Sequence, residues 1–382
     1  MVNSATGRDW IFEPVAGPFP GGMGGVAWDG QAVLFSLPEA MLVKRFDPVT
    51  GVTSDWRKYT GRVNGLAVAR DGSVFAAQEG GRRVIQYLAD GRATVTGLRI
   101  AGAVHNHPCD LVVDSHERVW FSDPHHGVHA FGPQVFPPLA HASVLRLERD
   151  DRRAWQIRRI TFDTTVPRAV LLSADERTLY VSEGDTERTP VRELRAYPVR
   201  TDGTVGPYQV LQTFGRDSRG PHPGIEGLCL GENGCVIACG GSRDAGPGPM
   251  ISLFAASGRL LKPTPSPAMP LCAALSVALR LTSFTSAART AGSTGHADWE
   301  AVRDRGLTAT EQTLRSGVAG ACPDPAPVLR CHAASEPGPQ VPPRGHFPRP
   351  SQRLTRWVSM SNRSRQRPTV WSTISSSDFG FA

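Results

Sequence analysis

A hairpin-sized unit recurs along the first two thirds of the chain, and this repeat constrains the fold more than any other feature. It reads GGVAWDGQAVLFSL from Gly24, NGLAVARDGSVFAAQ from Asn64, CDLVVDSHERVWFSD from Cys109, RAVLLSADERTLYVSE from Arg168 and EGLCLGENGCVIACG from Glu226. Each unit opens on a small or polar residue, runs through a short apolar strand, turns at a polar stretch such as Arg70-Asp71-Gly72, and enters a second apolar strand. That pattern predicts a β-hairpin. A second strand pair follows most units, in MLVKRFDPVTG, RRVIQYLADG, ASVLRLERD, RELRAYPVRTDG and MISLFAASGR. Two hairpins make one four-stranded sheet, and unit starts spaced by 40, 45, 59 and 58 residues suit blades arranged radially. The expectation is an all-β chain, a β-propeller. A sandwich would also have short strands, but it gives no reason for one hairpin to recur five times.

Composition agrees and removes other classes. The 382 residues include 40 Gly and 32 Pro, with 7% aromatics, which favours many short turns over long helices. The formal charge of +7 is carried by the C-terminal part, since residues 271–382 alone have a net charge of +6. A nearly neutral body argues against a nucleic-acid surface. No stretch is long and apolar enough for a membrane span, and the N-terminus shows no basic region followed by an apolar one, so a cytoplasmic location without membrane contact is expected. Seven cysteines, Cys109, Cys229, Cys235, Cys239, Cys272, Cys322 and Cys331, are odd in number and form no CxxC pair, which predicts buried thiols rather than a disulfide framework or zinc site.

Phrases such as NGLAVARDGSVFAAQEGGRRV, CDLVVDSHERVWFSDP and DERTLYVSE resemble the senescence-marker, gluconolactonase and luciferin-regenerating family. The resemblance covers about Phe19 to Pro270. It implies a six-bladed β-propeller, and hydrolysis of a lactone or related ester as the inherited, gluconolactonase-type activity, in some members dependent on Ca2+. Only five repeats are readable, so the sixth blade is expected to be incomplete or lost. Residues 1–270 are then the propeller and 271–382 a low-complexity tail. Two origins stand for that tail. One is a natural disordered segment; the other is a reading-frame shift near Leu271, because residues 275–287 written as codons and read from each third base permit FGGAAADELYVG, the form of the missing hairpin.

The first residue of each repeat is expected to face the central channel, which gathers Gly24, Asn64, Cys109, Arg168 and Glu226. In the resembling family this ring supplies a calcium site of Glu, Asn, Asn and Asp. Matched by motif, those ligands fall on Gly24, Cys109, Arg168 and Glu226, of which only Glu226 offers an oxygen ligand. Three readings follow. Glu226 keeps a metal with help from Asn64, Asp110 or Asp123; or Arg168 pairs with Glu226 and polarises a lactone carbonyl while Glu226 aligns water; or the pair fills the channel without turnover. A rival function is a non-catalytic propeller binding a small polar ligand or a protein partner on the channel face.

Other substrate-binding candidates are Asn64, Cys109, His105, Asn106 and Glu183. His105 and His107, with His125, His126 and His129, have spacings open to zinc, but such clusters more often stay solvated at a pocket rim. Asn64 either bonds a substrate hydroxyl or caps its strand; Asp123 and Glu183 close hairpins, where carboxylates often make turns. Cys109 lacks a placed base and reads as an inert thiol rather than a nucleophile.

Overall fold

The computed structural model describes residues 12–17, 19, 22–125, 137, 139–231, 234–266 and 328–330. Five four-stranded antiparallel sheets account for most of them, each with its strands in sequence order. The first blade comprises Val26–Trp28, Val33–Leu37, Leu42–Phe46 and Thr53–Lys58; the second Val63–Val68, Val74–Gln78, Arg83–Tyr87 and Ala93–Val95. The third comprises Leu111–Val113, Val119–Asp123, Ser143–Arg149 and Trp155–Arg159; the fourth Pro167–Leu172, Thr178–Glu183, Arg192–Pro198 and Gln209–Phe214. The fifth comprises Ile225–Leu230, Val236–Gly240, Met250–Phe254 and Leu260–Pro265. Successive innermost strands touch from the first blade through to the fifth. The all-β propeller is therefore present with five blades among the described residues, not six; the stretch in which a sixth blade was expected to be incomplete or lost lies outside them.

The second strand of every blade but the fourth is buried at every position, and in the fourth only its first residue is partly exposed. Alternation explains this: successive side chains point to opposite faces, and in the second, third and fourth blades each face meets a neighbouring blade. In the second blade Val74 and Ala76 pack with Leu34 and Val43 of the first, while Phe75 and Ala77 pack with Leu111, Phe121 and Leu145 of the third. Trp120, Val144 and Ile160 continue the core into Val170, Leu179 and Tyr197, and Leu171, Tyr180 and Leu194 continue it into Ile225, Val236 and Phe254. The outer face of the first blade is covered by Ala16, Phe19 and Met23, with Phe19 5.2 Å from Phe35 between ring centroids.

Tight turns close the hairpins as the repeat requires. At Arg70-Asp71-Gly72 the Ala69 N–H donates to Ser73 O at 2.8 Å, and Gly72 takes a φ of +80°, a conformation open to glycine without steric cost. Two short hairpins were not apparent in the sequence: Arg99–Ile100 with Ala103–Val104, and Arg216–Asp217 with Gly220–Pro221, each ahead of a new blade. A further correction concerns sulfur. Cys109 is a free thiol, but Cys235 and Cys239 are each disulfide-bonded rather than buried thiols. Within the segment expected to lack strands, Val328–Arg330 pairs in parallel with Phe12–Pro14. The remainder of 271–382 lies outside the described residues. Among the described residues no helix is long and apolar enough to cross a membrane.

Candidate active site at the channel

Backbone irregularities place the ring. The pairing register shifts between Val63 and Leu66, between Pro167 and Val170, and between Ile225 and Gly227, so Asn64, Arg168 and Glu226 each sit in a bulge of an innermost strand. A bulge re-aims the side chain it carries. Adjacent blades also fasten one another here. The Gly65 N–H donates to Cys109 O at 2.8 Å, and the hydroxyls of Ser36 and Ser182 donate to Asn64 O and Ile225 O, both at 2.6 Å. The Ser122 hydroxyl likewise donates to Arg168 O.

The side chains of the ring interact directly. Arg168 Nη2 donates to Glu226 Oε2, joining the fourth and fifth blades, with 26% and 31% of the two side chains exposed. Arg168 Nε is buried and has no hydrogen-bond partner among the described residues. Asn64 Nδ2 donates to Glu79 Oε1 at 2.7 Å and approaches Cys109 Sγ at 3.5 Å. Burial pushes the Cys109 thiol well up, and the nearby charges of Glu79, Asp110 and Glu226 add to this against Arg168, so the sulfur is a protonated thiol. Burial also raises Glu79, opposed by the Asn64 hydrogen bond and by Arg62. Glu79 was not among the sequence candidates. A signal was nevertheless there: the residue after the second strand is Pro38, Pro124, Gly184 or Gly241 in the other blades, and charged only at Glu79.

Asp110, beside Cys109, serves the scaffold. Its Oδ1 accepts the Leu111 N–H at 2.9 Å and its Oδ2 accepts the Val170 N–H of the next blade at 3.0 Å. Burial pushes the carboxyl up to about 7 although these two bonds pull it down. A raised folded value favours the neutral acid. Its contribution to stability is present below the unfolded value near 3.8 and is lost as pH rises through about 7. Relative to Asp110→Asn, the unaltered chain is expected to lose on the order of 2 kcal/mol more between pH 5 and pH 8, measured by denaturant unfolding. A flat difference across that range would show that Asp110 does not titrate there.

The family is decided by comparison. The SMP-30/Gluconolactonase/LRE-like region matches residues 24–286. The chain belongs to that family. The match runs past Pro270, where the readable hairpins end. A gluconolactonase of Zymomonas mobilis subsp. mobilis is 27% identical over 210 residues, 50% of this chain and 56% of the relative. The chain thus spans little more than half the length of that curated relative. A solved gluconolactonase from Xanthomonas campestris, described as important in glucose secondary metabolic pathways, superposes with a TM-score of 0.55 at 25% identity, covering 67% of this chain and 79% of the other. A second solved structure assigned to the gluconolactonases has a TM-score of 0.55 at 20% identity, covering 67% and 82%, and speaks for the fold alone.

The calcium that the SMP-30/gluconolactonase resemblance implies does not fit these residues. Gly24 supplies no ligand where the family glutamate falls, and a Cβ there would lie 2.5 Å from both Asn64 Oδ1 and Ser36 Oγ, so a side chain would have to displace them. Cys109 offers a soft protonated thiol, and Arg168 places a fixed positive charge against Glu226, the remaining carboxylate. Among the described residues no group of three or more His, Cys, Asp and Glu is arranged to hold a metal. Glu226, the residue expected to ligate a metal, is the ion-pair partner of Arg168.

Other substrate candidates are buried and bonded within the protein. His105 and Asn106 are fully buried, His105 Nδ1 lying 3.2 Å from Asp123 Oδ1 and the Asn106 N–H donating to Asp123 Oδ2 at 2.7 Å. Asn106 Oδ1 accepts the Leu139 N–H at 2.7 Å. His107 is buried too, near the His125 ring at 5.6 Å, and burial lowers its pKa to about 4, leaving it neutral. These histidines are therefore interior groups, not the solvated rim expected, because Asp123 and the chain around Pro124 draw the loop inward. His126 and His129 lie outside the described residues. Glu183, only 3% exposed, accepts the N–H groups of Thr165 and Val166 at 2.7 and 3.0 Å, which makes it an anchor for the loop entering its blade.

Proposed function

We propose that the channel binds a lactone or related ester and hydrolyses it without a metal, using Arg168 and Glu226. The observation that carries this reading is the division of labour on Arg168. One terminal nitrogen is committed to Glu226, while the Nε–H is a buried donor lacking an acceptor among the described residues. An unpaired buried donor costs free energy that a carbonyl oxygen would recover. A lactone carbonyl accepting that hydrogen bond is polarised, and the guanidinium stabilises the oxyanion that develops. Glu226, with one oxygen on Arg168, keeps the other to take a proton from water. The hydroxide adds to the carbonyl carbon, the ring C–O bond breaks, and the proton on Glu226 passes to the leaving alkoxide, giving a hydroxy acid.

The family membership and the two gluconolactonase likenesses support lactone as the substrate class. Incubation of the purified full chain with glucono-1,5-lactone should give hydrolysis above background that chelator leaves unchanged, and added calcium should not raise the melting temperature. Hydrolysis abolished by chelator and restored by calcium would overturn the metal-free mechanism. Saturable lactone binding with no turnover would favour the non-catalytic binder, for which the mutual pairing of Arg168 and Glu226 is the supporting feature.

A further inference from the structure

We propose that Glu79 is a positioning residue of the channel, holding the Asn64 amide in the one orientation that turns its Oδ1 toward Gly24 as an acceptor for a ligand hydroxyl. The ligand part rests on the channel being the lactone site. The orientation part rests on hydrogen-bond chemistry alone. Both contacts of the Asn64 nitrogen are with groups that can accept: Glu79 Oε1 at 2.7 Å and Cys109 Sγ at 3.5 Å. A flipped amide would set its oxygen against the Glu79 carboxylate, so ionised Glu79 selects the orientation with the nitrogen toward it. With the nitrogen engaged in this way, Oδ1 occupies the space beside Gly24 that any side chain there would need, 2.5 Å from the Cβ position. No described residue donates to that oxygen.

Glu79 is built to hold this pose. It is 5% exposed, and its own N–H donates to Arg62 O at 3.1 Å. Its second carboxylate oxygen lies 3.9 Å from the Arg62 guanidinium, which is itself paired with both oxygens of Glu39 at 2.8 and 2.7 Å. The charged and titratable groups bearing on Glu79 are thus Arg62 and Glu39 on its own side and Arg168 and Cys109 across the channel. A buried carboxylate needs such donors, and here one of them is the side chain that faces the channel. The equivalent position in the other blades is Pro or Gly, so blade architecture does not require an acid there.

The chain contains five asparagines, so selective 15N labelling of Asn side chains in the full-length protein gives a spectrum in which Asn64 is assigned by its loss in Asn64→Ala. Expected is a widely split Asn64 amide pair, one proton downfield, whose shift follows a single titration above the ordinary glutamate range. Glu79→Gln should remove the titration and Glu79→Leu should collapse the splitting. In parallel, Glu79→Leu should weaken binding of glucono-1,5-lactone by about tenfold, the loss of one oriented hydrogen bond, and leave unsubstituted δ-valerolactone unchanged. An Asn64 signal indifferent to pH and to both variants overturns the proposal, as does equal weakening of the two lactones. If the unaltered chain binds neither lactone, the lactone reading fails and the Asn64 signal alone decides the role of Glu79.

Discussion

Replacing Arg168 by alanine should lower lactone hydrolysis by roughly a hundred- to a thousandfold, the loss typical of one oriented donor to a developing oxyanion. The effect should fall on kcat, because the guanidinium is asked to hold charge that exists mainly in the transition state. Arg168→Lys should not restore the rate: a lysine ammonium keeps the charge but lacks the Nε–H and the fork that bonds Glu226 and substrate together. Glu226→Gln removes the base and should cost a comparable factor. Since the two side chains touch, the double variant should be scarcely worse than either single one. Folding should survive, because the serine bond that fastens this strand is made to the Arg168 backbone oxygen. Wild-type rates in Arg168→Ala would remove Arg168 from the reaction, and additive losses in the double variant would show that the pair does not act as a unit.

Asp123→Ala should have the largest effect on stability. This carboxylate is fully buried, accepts the Asn106 N–H at 2.7 Å and meets His105 at 3.2 Å. Its backbone oxygen also accepts from Asn106 Nδ2 at 3.2 Å, and Asn106 in turn holds the Leu139 N–H. Removing the carboxylate leaves a buried N–H and an imidazole without partners, a loss on the order of 3 kcal/mol. The melting temperature should fall by about 5 °C for a chain of this size, with Asp123→Asn losing less because its amide oxygen still accepts one bond. A fall of under about 2 °C on thermal unfolding would mean that water replaces the carboxylate without cost.

The propeller was legible because its repeat is a physical requirement. Second strands such as VFAAQ and VWFSD must bury both faces between neighbouring blades, and the consecutive apolar residues with which they open state this directly. The juxtaposition of Arg168 and Glu226 followed from the same register, since equal positions in a radial repeat share one axis. Glu79 was less visible because it enters from the far end of a second strand, outside the position by which the repeats were aligned. His105 and Asn106 misled for a different reason. Their loop is polar in sequence, and polarity alone does not reveal that Asp123, seventeen residues on from Asn106, would satisfy it internally. Glu183 resembled a channel acid until its two backbone donors were known.

The hydroxyls of Ser36, Ser122 and Ser182 grip the main chain of the adjoining blade at or beside the ring position, never its side chain. At Asn64 and Arg168 the join between blades is consequently made without the side chain that fills the slot. A lineage built this way can trade an ion's oxygen cage for a guanidinium, or for nothing, one codon at a time and without endangering the wheel that carries it.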